Sequence, residues 1–336
     1  MMRITVLAAT ALVGLAAAAI SGKWFVPMLH RLKFGQTIRE IGPAWHKNKQ
    51  GTPTMGGVLF ITGFVIAVSA AMLVCEAALP FKPLSGVALT ERVRLLAGLV
   101  FALACGAIGF ADDYIKVVKK RNLGLTASQK MLLQVTAGTG YAAVMFFLGD
   151  AAEIALPFVG TVNIGWWFLP LCIFFAVGFP NATNLTDGVD GLCGSVTVVA
   201  TACMTVAAVT ASHFGLGLVG AAFVGAMAGF LVWNLHPAKV FMGDTGSLLI
   251  GGMLCALAFG IGRPLLLLPV GIVYICETLS VMLQVGYFKL THGKRLFKMS
   301  PIHHHFEMCG WSENTIVTVF SAVTAVCGIA ALWLTM

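Results

Sequence analysis

Long stretches without any charged residue recur along this 336-residue chain, and they limit what it can fold into. Eight of these stretches lie at 4–22, 50–75, 95–111, 131–149, 154–186, 191–238, 245–262 and 314–336. A helix needs about 20 mostly apolar residues to cross a bilayer, and most of these stretches are long enough. Only 10% of the residues are charged and the mean hydropathy is +0.93, whereas soluble domains are about 25% charged. The pattern excludes a water-soluble globular protein.

We predict an all-α integral membrane protein that forms a single domain over 1–336, with about ten transmembrane helices. The spans lie near 4–22, 55–75, 93–111, 130–148, 166–180, 192–211, 215–233, 246–262, 265–287 and 314–335. The longest uncharged stretch holds two of them, with a turn at 211–215. No internal repeat or long linker divides the chain.

The distribution of Lys and Arg predicts the orientation of these helices. The loops 23–53, 112–130, 234–244 and 288–312 fall on one side and hold 16 of the 21 basic residues. Because basic loops face the cytoplasm, both termini are predicted to be extracytoplasmic. The net charge of +8 then reflects topology and does not indicate a nucleic-acid partner. Cleavage of the first span as a signal peptide is the alternative, but it would place six basic residues outside.

Five polar clusters interrupt the apolar pattern, all on the predicted cytoplasmic side. The first, 47–57, contains Lys49 and Thr54 beside the second span, where a basic residue near a helix N-terminus suits a phosphate. A membrane-flanking basic loop explains the same residues. The second contains Asp112, Asp113 and Lys116, which share one face of a helix. A capping ion pair is one interpretation, but two carboxylates against one Lys leave a negative charge that a metal ion or general base would use.

The third cluster has polar residues at every third position, namely Asn181, Asn184, Asp187 and Asp190. Their oxygen atoms are hard donors suited to Mg²⁺ or a sugar hydroxyl, and Gly188 and Gly191 allow close approach of a ligand. The fourth, 234–247, contains Asn234, Phe241, Gly243 and Asp244 and opens the eighth span. It can offer N–H groups to an anion and a carboxylate to a cation, or serve as an N-cap.

The fifth cluster, 301–307, contains His303, His304 and His305, which we place in a loop where they can surround a ligand. A metal ion and a phosphate both fit these side chains. Separately, Glu277 stands in the middle of the ninth span, where an intramembrane carboxylate is either functional or hydrogen-bonded at a kink. Our hypothesis is that the ninth helix breaks nearby and lines a groove.

Hard oxygen donors, lysines and glycine-rich helix starts at a membrane boundary indicate phosphate chemistry with Mg²⁺, and a lipid phosphate as one substrate. From the residues alone, the donor stays unidentified.

The five clusters, in this order, resemble the phospho-N-acetylmuramoyl-pentapeptide-transferases, a family of polyprenyl-phosphate N-acetylhexosamine-1-phosphate transferases. The matching stretches are Gly35–Glu40, Gly51–Gly57, Gly109–Lys120, Asn184–Leu192, Val240–Ser247 and Pro301–Glu307. The aspartate motifs mark the superfamily, whereas the stretches 51–57 and 301–307 favour this member. The similarity covers essentially the whole chain.

The resemblance implies transfer of phospho-N-acetylmuramoyl-pentapeptide from its UDP-linked donor to undecaprenyl phosphate. The products are UMP and lipid I, in the first membrane step of peptidoglycan synthesis. It implies Mg²⁺, held mainly by Asp244 with Asp187 near it, and a homodimer. Asp112, Asp113 and Asp244 are implied to be catalytic, with Asp112 acting as a base toward the lipid phosphate or as a nucleophile in a two-step route.

The resemblance also assigns the substrate-binding residues. These are Lys49, Thr54, Lys116, Asn184, Asp187, Asp190, Asn234, Phe241, Gly243, His303, His304 and His305. The active site is expected in a cleft on the cytoplasmic face of the bacterial inner membrane, and the groove along the ninth helix is expected to admit the prenyl chain. A sister transferase for another UDP-N-acetylhexosamine is the nearest alternative. An ion-coupled transporter and a non-catalytic membrane scaffold are others, and the transporter would use Asp112, Asp187 and Glu277 on an ion path.

Overall fold

A computed structural model describes residues 1–31, 51–119, 123–156 and 158–335. The predicted substrate residue Lys49 lies outside these ranges, and so does part of the basic cluster that follows the third span.

Helices dominate the described ranges, in agreement with the predicted class. They are α1 (Met2–Arg31), α2 (Gly57–Ala78), α3 (Leu89–Val118), α4 (Ala127–Phe147), α5 (Phe168–Thr186), α6 (Leu192–Thr210), α7 (Phe214–Asn234), α8 (Gly243–Gly260), α9 (Leu267–Val270), α10 (Ile272–Leu290), α11 (Ile302–Met308) and α12 (Glu313–Thr335). Short 3₁₀ turns, Gly165–Trp167 and Pro264–Leu266, precede α5 and α9.

Within the described ranges, eight helices are long and apolar enough to cross a membrane, and the bent pair α9–α10 makes up to nine. The predicted span near 130–148 forms α4, but this helix, which contains Lys130 and Gln134, is not among the eight. Gln134 is buried and accepts a hydrogen bond of 2.8 Å from Asn181 of α5, which satisfies it inside the bundle. The structure is a multi-pass helical membrane protein, while the ten-helix topology and the single-domain division stay predictions.

A short antiparallel hairpin is the one departure from an all-α fold in the described residues. Strand β1 (Glu153–Leu156) pairs with β2 (Gly160–Asn163), and Gly160 adopts a left-handed φ of 93° beside the turn. The N–H of Ala155 donates to the carbonyl of Gly262, which ties the hairpin to the end of α8. With only four residues per strand and one buried side chain, Ile154, the hairpin carries too little periodicity to be predicted.

Helix α8 is the most enclosed of the candidate spans, with 94% of its apolar window buried. Glycines allow its N-terminal turn to contact two neighbouring helices closely. A Cβ atom on Gly109 of α3 would lie 2.0 Å from the carbonyl oxygen of Asp244, and one on Gly57 of α2 would lie 2.5 Å from the nitrogen of Gly246. This close packing brings the polar ends of α2, α3 and α8 together.

The ninth predicted span is broken, as the sequence hypothesis stated, with a bend of 76° between Pro264–Val270 and Ile272–Leu290. At the break, a Cβ atom on Gly271 would lie 2.6 Å from the ring of Phe179. Glu277, however, is fully buried and its carboxyl group faces His303, so it does not line an open groove. A carboxyl group inside the bundle is directed toward a polar partner and not toward lipid. The groove for a prenyl chain along this helix stays a prediction.

Candidate functional site

Three carboxyl groups converge where the C-terminal part of α3 meets the N-terminus of α8. Oxygen atoms of Asp112, Asp113 and Asp244 all lie within 4.8 Å of one another. The ammonium group of Lys116 lies among them, 2.6 Å from Asp112 Oδ2, 3.2 Å from Asp244 Oδ2 and 3.7 Å from Asp113 Oδ1. The structure therefore joins two sequence clusters that are more than a hundred residues apart into one site.

Asp244 has two further partners. Lys130, at the start of α4, lies 2.7 Å from Asp244 Oδ2, and the side-chain amide of Asn184 donates to Asp244 Oδ1 at 2.8 Å. The same amide donates to Ser247 Oγ at 2.8 Å, one turn along α8. Asn184 was among the predicted residues, whereas Lys130 was not. The only sequence signal at Lys130 was a basic residue beside a span, which topology alone explains.

Asp113 holds the first turn of α8. Its Oδ2 atom accepts hydrogen bonds from the backbone N–H of Thr245 at 2.9 Å and from the Thr245 hydroxyl at 2.7 Å. Gly243 precedes this turn with a left-handed φ of 74°, and a Cβ atom there would lie 2.6 Å from Asp113 Oδ2 and 2.7 Å from Thr54 Oγ1. Gly243 and Thr54 are therefore at the site, as predicted. The Thr54 hydroxyl is buried and has no hydrogen-bond partner among the described residues.

Asp112 links α3 to the segment before α4. Its Oδ1 atom accepts from the backbone N–H of Leu125 at 2.8 Å. Thr126 then begins α4 with a capping box, since its hydroxyl accepts from Gln129 N and the Gln129 side chain accepts from Thr126 N. This cap sets the start of the helix, so that Lys130 reaches Asp244.

Asp187 lies just after α5, beside the same carboxylates. Burial, together with the negative charges of Asp244 and Asp113, raises the pKa of this carboxyl group to about 7. The backbone N–H of Gly243 acts in the opposite direction. These interactions place Asp187 close to Asp244. Asp187 is not one of the three carboxylates whose oxygen atoms all lie within 4.8 Å of one another.

A second polar cluster forms between the loop after α5, the loop before α8 and the start of α12. Asp190 Oδ2 lies 3.1 Å from His236 Nδ1 and accepts from the backbone N–H of Ala238 at 3.0 Å. Glu313 lies 3.5 Å from the same His236 nitrogen and accepts from the Asp190 N–H at 3.0 Å. The predicted residue Asp190 thus belongs to this cluster and not to the three-carboxylate site. Sequence reasoning did not identify His236 or Glu313.

Asn234 and Phe241 connect the loops around this cluster. The Asn234 side chain accepts from Gly191 N at 3.2 Å and donates to the Val240 carbonyl at 2.9 Å. The backbone of Phe241 donates to the Pro53 carbonyl and accepts from Gly56 N, each at 2.8 Å. These contacts hold the loops that carry several of the predicted substrate-binding residues.

The three histidines lie in the short helix α11, so the predicted loop is wrong. Helical geometry directs consecutive side chains to different faces, and the three rings accordingly have different partners. His303 is fully buried with Nδ1 3.0 Å from Glu277 Oε2, while His304 Nδ1 lies 2.5 Å from Glu307 Oε2. His305 accepts from the backbone N–H of Lys298 at 3.2 Å. In this arrangement they do not surround one ligand, and their roles in substrate binding stay predictions.

The three-carboxylate site fits a hard divalent cation. Asp112, Asp113 and Asp244 offer carboxylate oxygens, which Mg²⁺ prefers, and Mg²⁺ typically uses one or two of them together with water and substrate phosphates. The ammonium groups of Lys116 and Lys130 balance two of the three negative charges. One negative charge remains, and the donor atoms are all oxygen.

Comparison with known proteins gives consistent matches. The model of glycosyl transferase family 4 matches residues 95–261, and the phospho-N-acetylmuramoyl-pentapeptide-transferase signature 1 matches residues 49–61. A phospho-N-acetylmuramoyl-pentapeptide-transferase of Clostridium botulinum (strain Eklund 17B / Type B) is 45% identical over 323 residues, covering 96% of this chain and 94% of the relative. Relatives of the same name from Listeria innocua and Clostridium perfringens are 45% and 43% identical. They cover 90% and 92% of this chain, and 92% and 90% of their own lengths.

Proposed function

Because this chain belongs to the phospho-N-acetylmuramoyl-pentapeptide-transferase family, we propose that it transfers phospho-N-acetylmuramoyl-pentapeptide from the UDP-linked donor to undecaprenyl phosphate. The products are lipid I and UMP. In this reaction an oxygen of the prenyl phosphate forms a bond to the phosphorus that carries the sugar. The bond from that phosphorus to the UMP oxygen breaks, and UMP leaves.

One observation carries the proposal, namely the convergence of Asp112, Asp113 and Asp244 around Lys116. Two phosphate groups repel each other, so a site that joins them needs cations at fixed positions. Lys116 and Lys130 supply two such charges, and Asp244 holds both of them. When bound, Mg²⁺ would neutralise the phosphate charge that develops during transfer, with Asp244 as its main protein ligand and Asp187 beside it.

The positions of the other side chains at the site indicate their roles in the reaction. Asp112 orients the lipid phosphate or takes its proton, since its carboxylate lies at the end of α3 beside Lys116. Asp113 fixes the first turn of α8 through Thr245 and so sets the position of Asp244. Asn184 aligns Asp244 from the other side through its amide.

The location of the site supports a membrane-bound substrate. Its residues stand at the C-terminal ends of α3 and α5 and at the N-terminal ends of α4 and α8. All four ends belong to the side that carries the basic loops. We place the site on the cytoplasmic face of the bacterial inner membrane, where a soluble UDP-linked donor and a prenyl phosphate can meet. A homodimer is proposed from family membership alone.

The test is release of UMP by the purified full chain in detergent. Undecaprenyl phosphate, UDP-N-acetylmuramoyl-pentapeptide and Mg²⁺ are each omitted in turn, and Asp112→Asn and Asp244→Asn are assayed beside the wild type. Asp150→Asn is the matched control, because Asp150 is an exposed carboxylate in the α4–β1 connection. We expect release that needs all three components and that is lost in the first two variants only. Release with UDP-N-acetylglucosamine in place of the muramoyl donor would assign a sister transferase, and no release with either donor would contradict the proposal.

A further inference from the structure

Glu277 and His303 form a buried polar pair inside the helical bundle. Both residues have no exposed surface, and Glu277 Oε2 lies 3.0 Å from His303 Nδ1. The backbone N–H of His303 donates to the same oxygen at 3.4 Å. A carboxyl group at this depth is costly to bury, so it either pairs with a polar group or serves a function. Here the partner is the first histidine of the 301–307 cluster.

The other side of the His303 ring faces the loop after α5. A Cβ atom on Gly188 would lie 2.3 Å from His303 Nε2 and 2.8 Å from its Cε1 atom. The ring edge therefore occupies the space that any side chain at position 188 would fill. Gly188 directly follows Asp187, so the ring supports the turn that carries this carboxylate. The absence of a side chain at Gly188 leaves the space that this ring occupies.

The pair also contains buried polar atoms without partners. Among the described residues, Glu277 Oε1 and both ring nitrogens of His303 make no hydrogen bond of good geometry. Unpaired buried polar groups are costly, and native proteins keep few of them. Nε2 faces the turn 187–188, since it would lie 2.3 Å from a Cβ atom on Gly188. Hydrogen bonds in active sites are often long or poorly aligned before the substrate binds, and they tighten in the complex.

We infer that Glu277 is a positioning residue for the transfer reaction, acting through His303 on the turn that carries Asp187. A carboxylate beside Nδ1 keeps the proton on that nitrogen, which fixes the tautomer and the orientation of the ring. The fixed ring in turn holds Gly188 and Asp187 at the three-carboxylate site. This inference rests on the proposed function, and it assigns Glu277 to the donor and cation side of the reaction and not to the prenyl chain.

The first test compares Glu277→Gln and Glu277→Ala with the wild type in the UMP-release assay. The glutamine keeps an oxygen that can accept from Nδ1–H, whereas the alanine keeps none. We expect kcat to fall about 10- to 100-fold in Glu277→Ala, as is typical when a partner that orients a functional side chain is removed. Glu277→Gln should retain more activity, the Mg²⁺ concentration for half-maximal rate should rise in both variants, and KM for undecaprenyl phosphate should stay unchanged.

Thr278→Ala is the control, because Thr278 is the next residue on α10 and its hydroxyl donates to the Tyr274 carbonyl of its own helix. It should behave as the wild type. The inference is overturned if Glu277→Ala has wild-type activity. Equal loss in Gln and Ala with a matching fall in melting temperature would also overturn it, since that result describes a purely structural residue. A selective rise of KM for the prenyl phosphate would overturn it in favour of a lipid groove.

The second test does not depend on any substrate. Nitrogen-15 NMR of protein labelled at histidine reports which ring nitrogen carries the proton, and the His303 signals are identified by their loss in His303→Asn. We expect a protonated Nδ1 in the wild type and a mixture of tautomers in Glu277→Ala. An unprotonated Nδ1 in the wild type would overturn the inference. If the wild type fails to release UMP but shows the protonated Nδ1, the proposed function fails while the buried pair stands.

Discussion

The ammonium group of Lys130 lies 2.7 Å from Oδ2 of Asp244, so the first turn of α4 and the first turn of α8 meet through one ion pair. Both side chains are only 17% exposed, and the same carboxylate oxygen also lies 3.2 Å from Lys116. Asp244 is therefore held by two cations from two helices. A charge pair in such a partly enclosed site is worth more than a solvent-exposed one, because less water screens it.

Replacement of Lys130 by Gln tests whether this ion pair serves the reaction. The variant keeps a polar side chain but removes the charge that holds Asp244, so we expect kcat/KM for UMP release to fall about 10- to 100-fold. The Mg²⁺ dependence should shift as well, since Asp244 is the proposed ligand. Lys119→Gln is the control, because Lys119 is an exposed lysine at the end of α3. Equal effects of the two substitutions would show that only the total charge of this face matters.

Replacement of Thr245 by Val tests the role of Asp113. Valine has nearly the same shape, but it removes the hydroxyl that donates to Asp113 Oδ2 at 2.7 Å and leaves only the backbone N–H. Because hydrogen bonds to charged groups contribute about 1.5–3 kcal/mol, we expect a lower melting temperature in detergent together with reduced UMP release.

Replacement of Thr136 by Val is the corresponding control, since the Thr136 hydroxyl donates to the Leu132 carbonyl on an exposed face of α4. Unchanged stability and activity in Thr245→Val would mean that Asp113 does not position α8.

The sequence located most of this site because its residues occur where apolar spans end. Asp112, Asp113 and Asp244 border long uncharged stretches, and Asn184 lies near the end of another one. At a membrane boundary such polar positions mark functional sites. Lys130 also ends such a stretch, but basic residues are common beside spans for topological reasons. Lys130 differs from other basic residues beside spans by its ion pair with Asp244. No local sequence pattern reveals a partner that is 114 residues away.

The three adjacent histidines show a second limit of structure prediction from the sequence. Three adjacent histidines gave no helical period, and a loop was the natural interpretation, yet Pro301 precedes a seven-residue helix that separates the three rings. The contact between Glu277 and His303 is equally hidden, because it joins the middle of one helix to the start of another. The resemblance supplied the reaction, whereas these pairings depend on how the helices pack.

The raised pKa of Asp187 leads to a prediction about stability and pH in the metal-free protein. This carboxyl group has an ordinary pKa of 3.8 and about 7 in the folded chain, so the folded state binds its proton more tightly than the unfolded state. Stability should therefore fall as the pH rises from about 4 to about 7, and this contribution should then level off. Asp187→Asn removes the titrating group, so in EDTA its melting temperature should exceed that of the wild type at pH 8.

Added Mg²⁺ should raise the melting temperature of the wild type, through preferential binding to the folded state, more than that of Asp187→Asn. Asp150→Asn should keep the wild-type response to both pH and Mg²⁺. An equal response to Mg²⁺ in Asp187→Asn and the wild type would remove Asp187 from the proposed ligands.

Gly109 provides the sharpest test of how packing sets the site. A Cβ atom at this position would lie 2.0 Å from the carbonyl oxygen of Asp244 and 2.7 Å from the nitrogen of Thr245, and both are backbone atoms that cannot rotate away. Gly109→Ala should therefore separate α3 from α8 and move Asp244 relative to Asp112. We expect a loss of at least about 1–3 kcal/mol in stability, as for other overpacked interiors, and a larger fractional loss of UMP release than of folded protein.

Gly140→Ala is the matched control, since no heavy atom lies within 4 Å of a Cβ atom placed there. Gly140 is inside α4, where alanine is favoured over glycine by about 1 kcal/mol, so this variant should be as active as the wild type and at least as stable. If Gly109→Ala kept both its melting temperature and its activity, the distance between α3 and α8 would not control the position of Asp244. The convergence of the carboxylates would then have to depend on Lys116, Lys130 and Asn184 alone.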